Sequence, residues 1–266
     1  MLNSLQKRNP VERTGKIFKY SFMQYGRVLL PLSIAILAIS FVFCVFSFIP
    51  GASILDYKDD KFTGLNVVNI IMISITYVFF ITVSICTLVM INRNIKNSYF
   101  RDEAYLRMTL PVTIGEHMAG TVLSSMVWYM ILGIVSLLSL LLLFGHPIIT
   151  HIKDLTFDIP VKYILMYILY WIVSLFTLVS VIFLIHSLAS LVHKGKTAVK
   201  IGTVIGLIII AEIFIITFIR NRGSRIMESE NPLMGFFWPY LCLIAVIGIA
   251  SYGVSYLILK KKYNLE

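Results

Sequence analysis

The sequence predicts an all-α polytopic membrane protein with six transmembrane helices, an N-terminal interfacial helix and a short cytoplasmic helix between the second and third spans. Three observations predict the membrane fold. Hydrophobic residues make up 58 % of the 266-residue chain and charged residues 14 %, with a mean hydropathy of +0.88. A soluble domain is roughly 45–50 % apolar and about 25 % charged. The apolar residues also come in long blocks rather than in amphipathic periods. Finally, six of those blocks reach the length of about 20 residues that a helix needs to cross the hydrocarbon layer. One transmembrane domain spanning residues 1–266 is expected.

Taken in order, residues 1–15 are polar. Lys16 to Tyr25 then alternates basic and aromatic residues, and Phe18, Phe22 and Tyr25 fall on one helical face. This reads as a short amphipathic helix lying in the interface, broken from the first span by Gly26. The alternative is a plain extension of that span. The spans are expected over 28–49, 65–91, 118–144, 163–185, 201–219 and 236–259. The first is too long for the apolar core of a signal peptide and lacks a small-residue cleavage site, so it reads as an uncleaved anchor. Trp238, Pro239 and Tyr240 open the last span at interface depth, where amphipathic rings are favoured.

Orientation follows from the basic residues of the short loops. Sixteen of the 23 Lys and Arg residues lie on the side of the N-terminus, the 92–117 and 186–200 loops and the C-terminus, and seven on the other. The majority side is expected to be cytoplasmic, with both termini there. The net charge of +10 is therefore topogenic, and nucleic acid is not an expected partner. The outside loops are short. They carry Asp56, Asp59 and Asp60, then His146, His151, Asp154 and Asp158, then a mixed segment with Arg220, Arg222, Arg225, Glu228 and Glu230.

Catalytic signatures are missing. The chain contains no H-E-x-x-H, no G-x-S-x-G and no dinucleotide fingerprint. Cys44, Cys86 and Cys242 all fall inside apolar blocks and form neither a metal pattern nor a disulfide framework. The five histidines are scattered, and two near neighbours, His146 and His151, do not make a zinc site. Gly195-Lys196-Thr197 imitates the end of a nucleotide-binding loop. Yet Ser190 stands where the first glycine belongs, and the segment follows a span rather than a strand. Gly202 and Gly206 form a G-x-x-x-G that permits close helix packing, within the bundle or in a dimer. Glu212 is the one formal charge inside a span, and insertion of such a group costs about 2.5 to 3.5 kcal/mol. It is either a group on a transport path or a protonated carboxyl bonded to a neighbouring side chain.

The 92–117 loop carries the most information. Ser98 is placed to cap a helix that begins near Tyr99 and runs to Leu110, where Pro111 stops it. Asp102 and Glu103 fall in its early turns, where they suit the helix dipole. Asp102, Leu106 and Leu110 share a face, so this short helix needs a partner surface.

The run from Asp102 to Thr113, D-E-A-Y-L-R-M-T-L-P-V-T, resembles a recurring segment of bacterial type-2 ABC transporter permeases. Those proteins commonly show an acidic pair, then Tyr-Leu, then Thr-Leu-Pro-Val-Ser/Thr before the third span. Lys16 to Pro31 is similar to their entry segment, and the six-span layout agrees. The chain departs from the pattern at Gly120-Thr121, where many relatives carry Lys, and at Thr113, where Ser is frequent.

The resemblance implies a permease without its own ATPase, placed in a bacterial plasma membrane. Two permease subunits, the same or related, would join two separate ATPase subunits that hold ATP and Mg. The 99–110 helix would couple the two, with Tyr99, Arg101, Asp102, Glu103, Tyr105, Leu106, Leu110 and Pro111 at the interface. Lys16–Tyr25 would be the connecting helix. The cargo would be an amphipathic peptide, an antibiotic, a drug or a lipid-like molecule. The competing expectation is an anchor or sensor that recruits a cytoplasmic protein through the same loop without transport.

Overall fold

The computed structural model describes residues 9–47, 64–100, 104, 112–143, 160–227 and 232–263. Among them every regular element is an α-helix: α1 Pro10–Ser47, α2 Gly64–Phe100, α3 Ile114–Leu143, α4 Val161–Leu191, α5 Lys196–Met227 and α6 Pro232–Tyr263. All six are long and apolar enough to cross a bilayer, which makes the chain a multi-pass membrane protein. Helices satisfy every backbone polar group internally, as the hydrocarbon layer demands. Large apolar side chains such as Val42, Ile85, Leu141, Ile216 and Leu257 are exposed on the helix surfaces. That would be a liability in water and is ordinary in lipid.

Local chemistry sets the helix ends. Pro10 opens α1, where its missing N–H removes nothing, and the Asn9 carbonyl accepts from the Glu12 and Arg13 amides at 3.0 and 3.3 Å. Thr113 and Glu116 form a reciprocal cap on α3. The Thr113 amide donates to Glu116 Oε2 at 3.1 Å, and the Glu116 amide donates to Thr113 Oγ1 at 3.4 Å. Gly195 adopts φ +80° just before α5, a conformation that favours glycine. Its place in Gly195-Lys196-Thr197 is accounted for by this turn between α4 and α5.

Three expectations change. The helix carrying Lys16–Tyr25 does not stop at Gly26, because α1 is continuous over 38 residues. At 1.5 Å per residue that is about 57 Å, well beyond the ~30 Å hydrocarbon layer. Gly26 serves packing instead: a Cβ there would lie 3.0 Å from the Trp128 ring. Second, Ser98 does not cap a new helix at Tyr99. Helix α2 runs through both residues to Phe100, and Ser98 Oγ donates back to Asn94 Oδ1 at 3.1 Å. Third, of the two alternatives for Gly202 and Gly206, the described residues supply no close neighbour within the chain. A Cβ at either would meet nothing within 4 Å among the described residues.

The chain divides into two compact units. Unit 1 comprises residues 1–19, 92–126 and 161–266, and unit 2 comprises 20–91 and 127–160. In unit 2, Ile36 of α1, Val83 of α2 and Val135 of α3 form a buried core, with Leu32, Phe79 and Ile131 packed against it. Phe22 stacks on Trp128 with ring centroids 5.0 Å apart. The indole Nε1–H donates to the Phe22 carbonyl at 2.9 Å. In unit 1, α4 and α6 approach closely at Gly248. Thr177 Oγ1 donates toward the Ile244 carbonyl at 2.9 Å, and a Cβ on Gly248 would sit 2.5 Å from Thr177 Oγ1. Tyr170 and Tyr240 stack farther along the same helix pair.

Candidate functional site

The segment that carries the predicted coupling residues hangs between α2 and α3. Of these residues Arg101, Asp102, Glu103, Tyr105, Leu106, Leu110 and Pro111 lie outside the described residues, and so does most of the 99–110 helix. Tyr99 is described, as are both helix ends that hold the segment. The site is therefore built from its two attachments.

On the α2 side the attachment is Tyr99, which is fully buried. Its hydroxyl lies 2.9 Å from His117 Nδ1, 2.9 Å from the His117 carbonyl oxygen and 2.8 Å from Thr121 Oγ1. A hydroxyl has one proton and two acceptor sites. A consistent assignment has His117 Nδ1–H donating to the hydroxyl and the hydroxyl donating to the carbonyl. The Tyr99 ring also meets His117 and Phe183 edge to face, at 5.2 and 5.1 Å, a favoured aromatic geometry. One side chain thus ties the end of α2 to α3 and α4.

The neighbouring Phe100 stacks on His186 of α4 at 5.8 Å, and the Lys262 ammonium stands 5.7 Å from the centre of the Phe100 ring. His186 Nε2 lies 2.6 Å from Asn92 Oδ1. The amide oxygen can only accept, so the His186 proton sits on Nε2. Lys200 is within electrostatic range of Lys96 and Lys196. The end of α2 is thus gripped by two aromatic–histidine contacts inside a basic surround.

On the α3 side the attachment is the Thr113–Glu116 cap. Arg13 of α1 reaches it, its guanidinium 2.9 Å from Glu116 Oε1. Glu116 holds both the cap and the ion pair, one through each carboxylate oxygen. Close by, a Cβ on Gly120 would lie 2.9 Å from Ile17 Cγ2 and 3.1 Å from the Thr14 carbonyl. Gly120, noted above as a departure from Lys, is where α1 and α3 touch.

Several of these residues escaped the sequence reading. Asn92, His117 and His186 have no motif, and the histidines read as scattered. The Thr113–Glu116 cap did have a signal, the T-x-x-E preceding an apolar run. Three other predicted residues do not join the site. Glu212 sits midway along α5 with its side chain exposed, and Gly202 and Gly206 lie on the same helix. Among the described residues no group of three or more His, Cys, Asp or Glu is placed to hold a metal ion. No family model, no curated protein and no solved structure matches the chain.

Proposed function

We propose that this chain is the permease subunit of an ATP-driven ABC exporter, and that the segment between α2 and α3 docks on a separate ATPase. The supporting observation is the pair of rigid attachments at Tyr99 and Thr113–Glu116. A docking segment transmits force only if its ends are fixed to the helices that must move. Both ends here are bonded into helices long enough to cross the membrane. The residues between them, Asp102 to Thr113, carry the permease-like run. Lys16 to Tyr25 is the interfacial portion of α1, lying beyond the hydrocarbon.

A second permease subunit belongs to this reading. Glu212 lies exposed in mid-span, where a carboxyl costs about 2.5 to 3.5 kcal/mol in lipid. Gly202 and Gly206 leave the same helix open to close approach. A partner chain against α5 would meet both needs. Both termini would be cytoplasmic and the cargo amphipathic, with ATP and Mg held by the partner.

The first test is affinity purification of the tagged chain from native membranes, followed by mass spectrometry. A stoichiometric P-loop ATPase is expected. Its absence under mild detergent, with another cytoplasmic protein in its place, would establish the anchor or sensor alternative. Charge reversal at Asp102 and Glu103 is expected to reduce ATPase copurification while membrane insertion stays normal. Unchanged copurification would remove these two residues from the interface. Glu212→Gln is expected to lower ATP-driven transport by the purified complex more than it lowers assembly. Full transport by that variant would leave the carboxyl a purely structural part.

A further inference from the structure

Unit 2 contains an open groove of about 620 Å³ between α1 and α3. Leu30, Ile34, Leu37 and Ile131 line it, the Trp128 ring borders it, and among the described residues Arg27 is its one ionisable lining residue. Leu30 and Ile34 are each about half exposed (51 % and 57 %), so the groove opens sideways out of the chain. Its other polar groups are already committed. Ser33 Oγ donates to the Leu29 carbonyl at 2.8 Å, and the Trp128 N–H donates to the Phe22 carbonyl. What remains is an apolar trough lined on α1 from Phe22 to Leu37, with Arg27 the one cation among its described lining residues.

The position of that cation along α1 is decisive. The stretch from Val28 to Ser47 contains no charged residue, and Arg27 immediately precedes it. Twenty uncharged, mostly apolar residues match the hydrocarbon thickness, so Arg27 stands at headgroup depth and the part of the trough from Leu30 to Leu37 runs from there into the acyl region. Its dimensions suit a small amphiphile, since ligand sites commonly measure about 300–1,000 Å³. A guanidinium presents a fork that matches phosphate oxygens. The like helix of a second copy, packed parallel, would set Arg27 against Arg27 and is disfavoured by that repulsion.

We propose that this groove binds an anionic phospholipid from the leaflet at the N-terminal end of α1. The phosphate pairs with Arg27, and an acyl chain lies along Leu30, Ile34, Leu37 and Ile131. The site stands on the groove alone and is independent of the exporter reading.

The test uses the full chain in bilayer nanodiscs, with phosphatidylglycerol or phosphatidylcholine carrying a diazirine on the acyl tail. The expected result is labelling of the peptides containing residues 22–37 and 128–135 by phosphatidylglycerol in preference to phosphatidylcholine. Arg27→Gln should cut that preference about fivefold, the scale of one basic residue at a membrane surface, and Arg27→Lys should largely keep it. Ile131→Trp should fill the trough and lower labelling by both lipids. Equal labelling by both lipids in the unaltered chain would overturn the proposal. So would a preference untouched by Arg27→Gln, or groove labelling no stronger than that of the exposed Ile209 and Ile216 face of α5. Crosslinks from these peptides to a second copy would instead assign the groove to a subunit interface.

Discussion

Tyr99→Ala is expected to destabilise the chain by about 3 to 5 kcal/mol, the usual cost of removing a buried aromatic ring. The ring packs on His117 of α3 and Phe183 of α4 and so joins the end of α2 to both. Tyr99→Phe separates the ring from the hydroxyl. It keeps the packing but takes the Tyr99 hydroxyl away from His117 Nδ1, the His117 carbonyl and Thr121 Oγ1, of which Thr121 Oγ1 keeps its own bond to the His117 carbonyl at 3.1 Å. A single interhelical bond in a membrane protein averages about 0.6 kcal/mol. Here one hydroxyl serves three groups, and stranding a buried polar atom costs about 1 to 3 kcal/mol. The phenylalanine variant should therefore fall in that upper range. Thermal unfolding in detergent, followed by fluorescence-detected size exclusion, measures both. If the network anchors the docking segment, Tyr99→Phe should also lose ATPase copurification more steeply than its modest stability loss explains. A stable variant with full copurification would show that the anchor is not part of coupling.

Gly248→Ala is expected to destabilise by about 1 to 3 kcal/mol, as overpacking does. The new methyl would sit 2.5 Å from Thr177 Oγ1, 3.1 Å from Phe176 Cδ1 and 3.2 Å from the Thr177 Cα. A β-branched side chain and a backbone atom cannot swing aside, so α4 and α6 must separate. Alanine is the better helix former by about 1 kcal/mol, which offsets only part of this. Gly202→Ala and Gly206→Ala provide the control. Among the described residues their methyls meet nothing within 4 Å, so propensity alone operates and the isolated chain should be unchanged or slightly more stable. Loss of self-association in either variant, with monomer stability kept, would place a second chain against α5. Equal effects at all three glycines would mean that helix propensity, not packing, governs them.

Much of the fold was legible in the residues. Six apolar blocks became six helices because lipid leaves the backbone one economical solution, and each helix then ran past its block. Helix α2 continues from the apolar stretch through Asn92 to Phe100, a polar extension that hydropathy alone ends early. The cap on α3 was also legible, since T-x-x-E is a local signal that needs only four residues.

The glycines mark where such legibility stops. Gly26 reads as a break and Gly202 and Gly206 as a packing motif, yet Gly26 is pressed on Trp128 and the other two face open space. Each chain segment carries the same missing side chain; only the neighbour supplied by another helix tells them apart. The Tyr99–His117–Thr121 network is of the same kind, joining residues 18 and 22 positions apart on two helices. Composition, span count and the expected topogenic bias belong to the sequence by itself, because burial in lipid depends on each block's own length and polarity. Which histidine is bonded, which glycine is packed and where Arg27 meets an apolar trough were decided only by tertiary structure, because those properties belong to pairs of helices and not to any one of them.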